Sequence, residues 1–466
     1  MRKLIKKLAI AVLVIIAPLS TVSLRGFSLL GPYDTWQAAN IGYQLTNDIG
    51  GPMNLGEEYR WDVPVVVYAF DESFLNYFGQ KGVEEVEKAF AILNALPPIS
   101  QMSSNLVEFP LEARRINYAA QSLGIIDLKS KVLGLIVEQM GLANPIRFTW
   151  CLRARGTYTV GGQTYTNYLV IKRNFDPVTW TNTSYVNGVL YTYEIQDPIQ
   201  PGDYADAVER VADPLWSIFR VPVAYNSVSA GEFLTGLTRD DVGGLRYIYR
   251  YNNYNVETLP PDVTNSFYGG VGTGYTIYFP TNYTQQAGIT NLFGNLTNAP
   301  ITTGLRPGLE KITFQRGYYD SLLGQFFITN VYDYTDYVIT NNTLVQKSVR
   351  RVVTTPDILF VAGDLGVTTG QTIEPVQFNR TAGFVSNAQL NGQTTQAGPG
   401  VIRGPITISF TTLYPAFLND TGYYFLTEEA ATRSFVWGSF DGSTNMPVVY
   451  PNYISIRDIE RQVLNR

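Results

Sequence analysis

Residues 127–145 read DLKSKVLGLIVEQMGLANP, and the other assignments in the chain depend on what that stretch is. Its apolar residues predict a helix that stops at Gly141 and leaves through Asn144 and Pro145. Asp127 is placed to cap the first turn.

Upstream, WDVPVVVYAF (61–70) reads as a short buried strand. Gly82 then leads into a helix with Val83, Val86, Phe90 and Leu93 on one face, ended by Pro97 and Pro98. A second helical region is expected over 111–123. Downstream of Pro145 the period falls to two, with Ile146, Phe148, Trp150 and Leu152 on one side of a strand. Val160-Gly161-Gly162-Gln163 and Val186-Asn187-Gly188-Val189 each set two residues suited to positive φ between Tyr-, Thr- and Val-rich segments, which predicts two hairpins. A helix is expected over 204–212. Then come DPLWSIFRVPVAY (213–225) and LTGLTRDDVGGLRYIYRYNN (234–253), where Thr238 and Asp241 form a capping pair and Val242, Leu245 and Ile248 face a core.

Taken in order, these pieces resemble the matrixin branch of the metzincin zinc proteases over residues 61–250. Leu237, Thr238, Asp240, Asp241, Val242, Gly244, Leu245 and Tyr249 carry the signature of that family's last helix. Ser217, Ile218 and Pro222 resemble its methionine turn. Matching Gly141 and Leu142 to the family's Gly-Leu puts the three zinc-ligand places on Gly134, Glu138 and Asn144, the catalytic glutamate on Leu135, and the methionine on Phe219 or Arg220. The strands that the family carries before its metal helix are not evident, and two hairpins are inserted after it. A catalytic zinc needs three strong ligands, an open position and a base for its water. One Glu and one Asn do not supply them, so the resemblance implies an inactive domain in which Glu138 is a helix-surface or salt-bridge residue.

The composition points the same way. The 466 residues contain no histidine, which removes the commonest general base, the usual zinc ligand and every Ser–His or Cys–His nucleophile pair. Cys151 is the one cysteine, so it forms neither an internal disulfide nor a thiolate cluster and reads as a strand residue. Only 16% of residues are charged and the net charge is −5, so a Tyr-, Asn- and Thr-rich surface resists contact between copies only weakly. No Lys/Arg stripe interleaves with aromatics, and nucleic acid is set aside.

Residues 1–23 have a secretory-signal layout: Arg2, Lys3, Lys6 and Lys7, an apolar run from Leu8 to Pro18, then Ser20, Thr21 and Ser23. The run is shorter than the roughly 20 residues that cross a bilayer, so cleavage is expected, with no transmembrane segment afterwards. Residues 24–60 form an arm and linker that either packs on its own domain or adds to a neighbouring subunit's sheet edge. Residues 252–261 read as a linker, and 262–466 as a mostly-β region with a turn at Asn341-Asn342. Asp333 and Asp336 are conceivable calcium ligands, while Asp420-Thr421-Gly422 and Asp441-Gly442-Ser443 read as turns rather than a catalytic carboxylate pair.

The expected architecture is an α+β N-terminal domain (61–251), metzincin-like and inactive, followed by one or two β-sandwich domains (262–466). The expected function is that of an exported, non-catalytic structural or interaction protein of the cell surface or extracellular matrix, self-assembling into filaments or layers. No catalytic residue, metal or cofactor is assigned. Its partners would be copies of itself, other surface proteins or glycans. A secreted carbohydrate-binding or adhesive module and a carboxylate-dependent hydrolase are the alternatives.

Overall fold

The computed structural model describes residues 25–43, 49–197, 204–212, 216–265, 300–320, 326–369, 372–381, 383–394, 397–412 and 436–451. The signal-like segment 1–23 and the Asp420 triplet lie outside them. Secondary structure is mixed, with 19% helix and 40% strand, so β-sheet predominates. Among the described residues no helix is long and apolar enough to cross a membrane.

The arm supplies β1 (Ser28–Pro32), the capped helix α1 (Thr35–Ile41) and β2 (Ile49–Met53). β1 pairs antiparallel with β2 on one side and with Leu142–Ala143 on the other. The arm therefore packs on its own chain.

β3 (Tyr59–Arg60) leads into β4 (Val65–Phe70). Both faces of β4 are covered: Val66, Tyr68 and Phe70 join the main core, while Val67 and Ala69 join a cluster with Phe327 and Val353. A strand covered on both faces shows no polar alternation, which is why its sequence is one apolar run. α2 (Glu72–Asn94), capped by Asp71, starts earlier than the expected helix and is broken by non-helical backbone at Gly79. It lays aromatic rings on the sheet, with Phe90 stacked on Tyr68 at 3.9 Å and Phe78 at 5.9 Å from Phe410.

The helix expected over 111–123 is reduced to α3 (Tyr118–Ser122). Arg114–Ile116 is instead a strand paired with Glu232–Leu234, held by an Arg114–Glu232 ion pair of 2.8 Å. α4 (Leu128–Gln139) packs on α2 and closes at Met140. Gly141 follows at φ 105°, where a Cβ would stand 2.3 Å from the Tyr59 carbonyl oxygen. The close approach of Tyr59, as much as the positive φ, demands glycine there.

β5 (Cys151–Val160) and β6 (Gln163–Ile171) form a long hairpin, and Tyr185–Val186 turns into Val189–Gln196 through Asn187 and Gly188, both at positive φ. The helix expected over 204–212 is a strand, Asp206–Val211, antiparallel to Val189–Gln196. Ladder pairing and the complete burial of Ala207 override its helical composition. α5 (Arg239–Tyr249) begins at the expected Thr238/Asp241 capping box.

Among the described residues the C-terminal half does not form separate sandwiches. β7 (Asn255–Thr258) lies where the linker 252–261 was expected and pairs with β8 (Thr303–Arg306). β9 (Thr313–Arg316) lies parallel to β4. β10 (Asn330–Thr340) and β11 (Thr343–Val353) form a hairpin about Asn341 and Asn342. β12 (Ile358–Gly363) flanks β4 in parallel on its other side, followed by β13 (Phe378–Arg380) and β14 (Ile406–Thr411). The central sheet thus runs β9-β4-β12-β14-β13, with β4 inserted between strands of the C-terminal half. Its core contains Val66, Phe90, Phe360, Phe410 and Trp437 together. A boundary at 252–261 would cut through this shared core, so the expected division into 61–251 and 262–466 is corrected.

Candidate functional site

α4 presents Lys131, Gly134 and Glu138 along one face, a spacing of three and four residues. Opposite them stand Asn226, at the left-handed end of the turn Val223–Tyr225, and Phe378 and Arg380 of β13. Asn226 Nδ2 donates to Glu138 Oε2 at 3.2 Å, and Arg380 pairs with Glu138 Oε1. Lys131 Nζ donates to the Asn226 carbonyl at 2.8 Å and lies 3.9 Å from the centre of the Phe378 ring. Burial lowers the Lys131 pKa to about 8, against the opposing pull of Glu138. A Cβ on Gly134 would come within 2.7 Å of Asn226 Oδ1, so the small residue lets this turn approach the helix.

The positions that the resemblance assigned to zinc are therefore filled by protein. Gly134 and Glu138 meet around Asn226. Asn144 is taken up in its own turn, its Oδ1 accepting from the N–H groups of Ile146 and Arg147 at 3.0 and 3.1 Å. Leu135 is fully buried in the core. Among the described residues no group of three His, Cys, Asp or Glu side chains could hold a metal ion. Both carboxylate oxygens of Glu138 have protein partners, so the arrangement clamps α4 to two distant segments. Lys131, Asn226 and Arg380 were not singled out from the sequence. Lys131, a charge inside an apolar helix, was the one available signal; Arg380, 242 residues from Glu138, gave none.

The turn before α5 is fixed the same way. Asp241 accepts from the N–H groups of Val223, Ala224 and Thr238, each at 2.9 Å. Asp240 accepts from Gly26 N at 2.8 Å and Asn187 N at 2.6 Å, joining the arm and a hairpin turn to the helix. Burial pushes the Asp240 pKa up to about 8, overcoming those two hydrogen bonds. In the segment resembling a methionine turn, Arg220 N donates to the Ser217 carbonyl at 3.0 Å, Ile218 is exposed, and Pro222 precedes Val223–Tyr225. Asp333 and Asp336, weighed for calcium, are ion-paired with Arg350 and Arg306 at 2.7 and 2.8 Å.

Two surface features remain. The β5–β6 hairpin is a two-stranded sheet whose distal part is exposed on both faces, including Tyr158, Val160, Tyr165 and Leu169. A cleft of about 450 Å³ opens where the loop carrying Trp180 meets the C-terminal end of α5. No protein-family model, curated protein or solved structure matches this chain.

Proposed function

We propose that the chain is an exported, non-catalytic structural or interaction protein of the cell surface or extracellular matrix, which works by association of its own copies into larger assemblies. The observation that carries this reading is the β5–β6 hairpin. A free strand edge is a template for pairing with another chain, and proteins ordinarily blunt it with Lys, Pro or a covering element. Residues 156–171, GTYTVGGQTYTNYLVI, contain no charge and no proline. Two exposed strands alone are marginal in water, and a neighbour's strand would complete them. A second copy fits as the occupant because the hairpin carries no charge there to repel its own kind.

The non-catalytic part of the reading is supported by Glu138, whose carboxylate is engaged by Arg380 and Asn226. Light scattering and electron microscopy of the mature chain test the assembly. Particles larger than one chain are expected, and monomers alone at high concentration would overturn the reading.

A further inference from the structure

We propose that the cleft beside Trp180 is a binding site for an acidic sugar, a uronate residue of a glycan. Its volume, about 450 Å³, lies within the roughly 300–1,000 Å³ of small-molecule sites. Trp180 is carried on a hydrogen-bonded loop. Its N–H donates to the Asp176 carbonyl at 2.9 Å, and Asp176 Oδ1 accepts from the N–H groups of Val178 and Thr179 at 2.9 and 2.7 Å. The tryptophan takes φ 58°, a costly conformation for a bulky residue, and still leaves 42% of its surface in solvent.

The Arg250 guanidinium lies 4.6 Å from the Trp180 ring centre and 4.0 Å from that of Tyr247. Arg246 lines the same cleft, its Nη atoms donating to the carbonyls of Ser103 and Ser104 at 2.5 and 3.0 Å and of Pro177 at 2.8 Å. Asp176 and Glu108 add to the field at Arg246, yet among the described residues no carboxylate lies at ion-pair distance from either arginine. The one carboxylate lining the cleft, Glu310, accepts from Ser100 N at 3.0 Å.

Arg246 and Arg250 set against Glu310 leave the cleft lining one positive charge in excess, in a chain of net charge −5, which favours an anion. The rings specify what carries the anion. Exposed Trp180 and Tyr251 offer flat apolar faces with polar edges, which match the C–H face and hydroxyl rim of a pyranose. Arg250 Nη1 donates to the Tyr247 carbonyl, which leaves its Nη2 to donate a charge-assisted hydrogen bond to a carboxylate on that pyranose. Inorganic phosphate would use the charge and waste the rings; a neutral sugar would do the reverse.

The test is calorimetric titration of the full mature chain with trigalacturonate, with its carboxyl-reduced trisaccharide, and with a nucleoside monophosphate as competitor. Saturable binding of the acid is expected, with the reduced sugar weaker by about tenfold or more, as for loss of a charge-assisted hydrogen bond. Arg250→Gln should abolish the preference for the acid, and Tyr251→Ser should weaken both sugars at an unchanged melting temperature. Trp180→Ala should remove binding; if it also unfolds the chain, the Tyr251 variant decides. No saturable binding at millimolar sugar, equal affinity for the acid and reduced forms, or stronger binding of the nucleotide would overturn the proposal.

Discussion

Arg60 Nε and Glu257 Oε1 lie 2.7 Å apart, with 1% and 2% of their side chains exposed, and the pair joins β3 to β7. Arg60 also donates to the carbonyls of Asn253 at 2.8 Å and Arg306 at 3.1 Å. Burial raises the Glu257 pKa, and the Arg60 charge opposes that rise. Truncating one member of such a pair leaves an uncompensated buried charge. Arg60→Met is therefore expected to destabilise the chain by about 3–5 kcal/mol in urea unfolding, whereas Arg60→Met combined with Glu257→Met should recover most of the loss.

Stability should decline from acid toward neutral pH. Burial lifts Asp62 from 3.8 to about 7, partly offset by Arg403, and lifts Asp127 to about 6 and Asp240 to about 8. Between the ordinary carboxylate value and these raised values the folded chain holds protons that the unfolded chain has released, so stability falls as pH rises through that window. The melting temperature is expected to be higher near pH 4 than near pH 8. Asp62→Asn and Asp240→Asn should each flatten the slope; a melting temperature that rises over this range would contradict the assignment.

At Glu138, substitution by Gln should behave as damage to a clamp. With Arg380 deprived of its ion pair, a loss of roughly 1–3 kcal/mol is expected in denaturant melts. Zinc in excess should leave the melting temperature of wild type and variant where it was. A zinc-dependent peptidase signal that disappears with Glu138→Gln would reverse the reading of α4.

Gly141→Ala tests the helix stop. The new methyl group would have to displace the Tyr59 carbonyl, 2.3 Å away, from a backbone already at φ 105°. A destabilisation of about 1–3 kcal/mol or more is expected, with the larger values if β3 shifts. Thermal unfolding reads it directly.

The hairpin offers a separation of folding from association. Tyr158→Ser and Leu169→Ser alter exposed side chains, so each should change stability by no more than about 0.5 kcal/mol. Sedimentation equilibrium should nevertheless show a shift toward single chains. Unchanged assembly in the double variant would remove β5 and β6 from the interface.

Local chemistry was readable in the sequence. Glycines at 161 and 162, Asn187-Gly188 and Asn341-Asn342 make the turns they promise, and Thr238 with Asp241 makes its capping box. VVVYAF reads as a strand buried on both faces because it is one. The neighbours of that strand left no trace, since parallel pairing of β4 with β9 and β12 requires only apolar runs that many segments could supply. The 206–211 segment shows the converse: its composition favours a helix, and a tertiary ladder decides otherwise. At the candidate sites, Glu138 was legible only as a helix-surface or salt-bridge residue, and its partner Arg380 was not legible. The cleft was hidden too, because its walls come from residues near 100, 180, 250 and 310.

The insertion of β4 between β9 and β12 has a consequence for biogenesis. The strand leaves the ribosome long before either flanking strand has been translated, and meanwhile its backbone N–H and C=O groups lack their native partners on both edges. A high proportion of such distant pairings slows folding. The early half must therefore wait in an incompletely folded state until the last strands arrive.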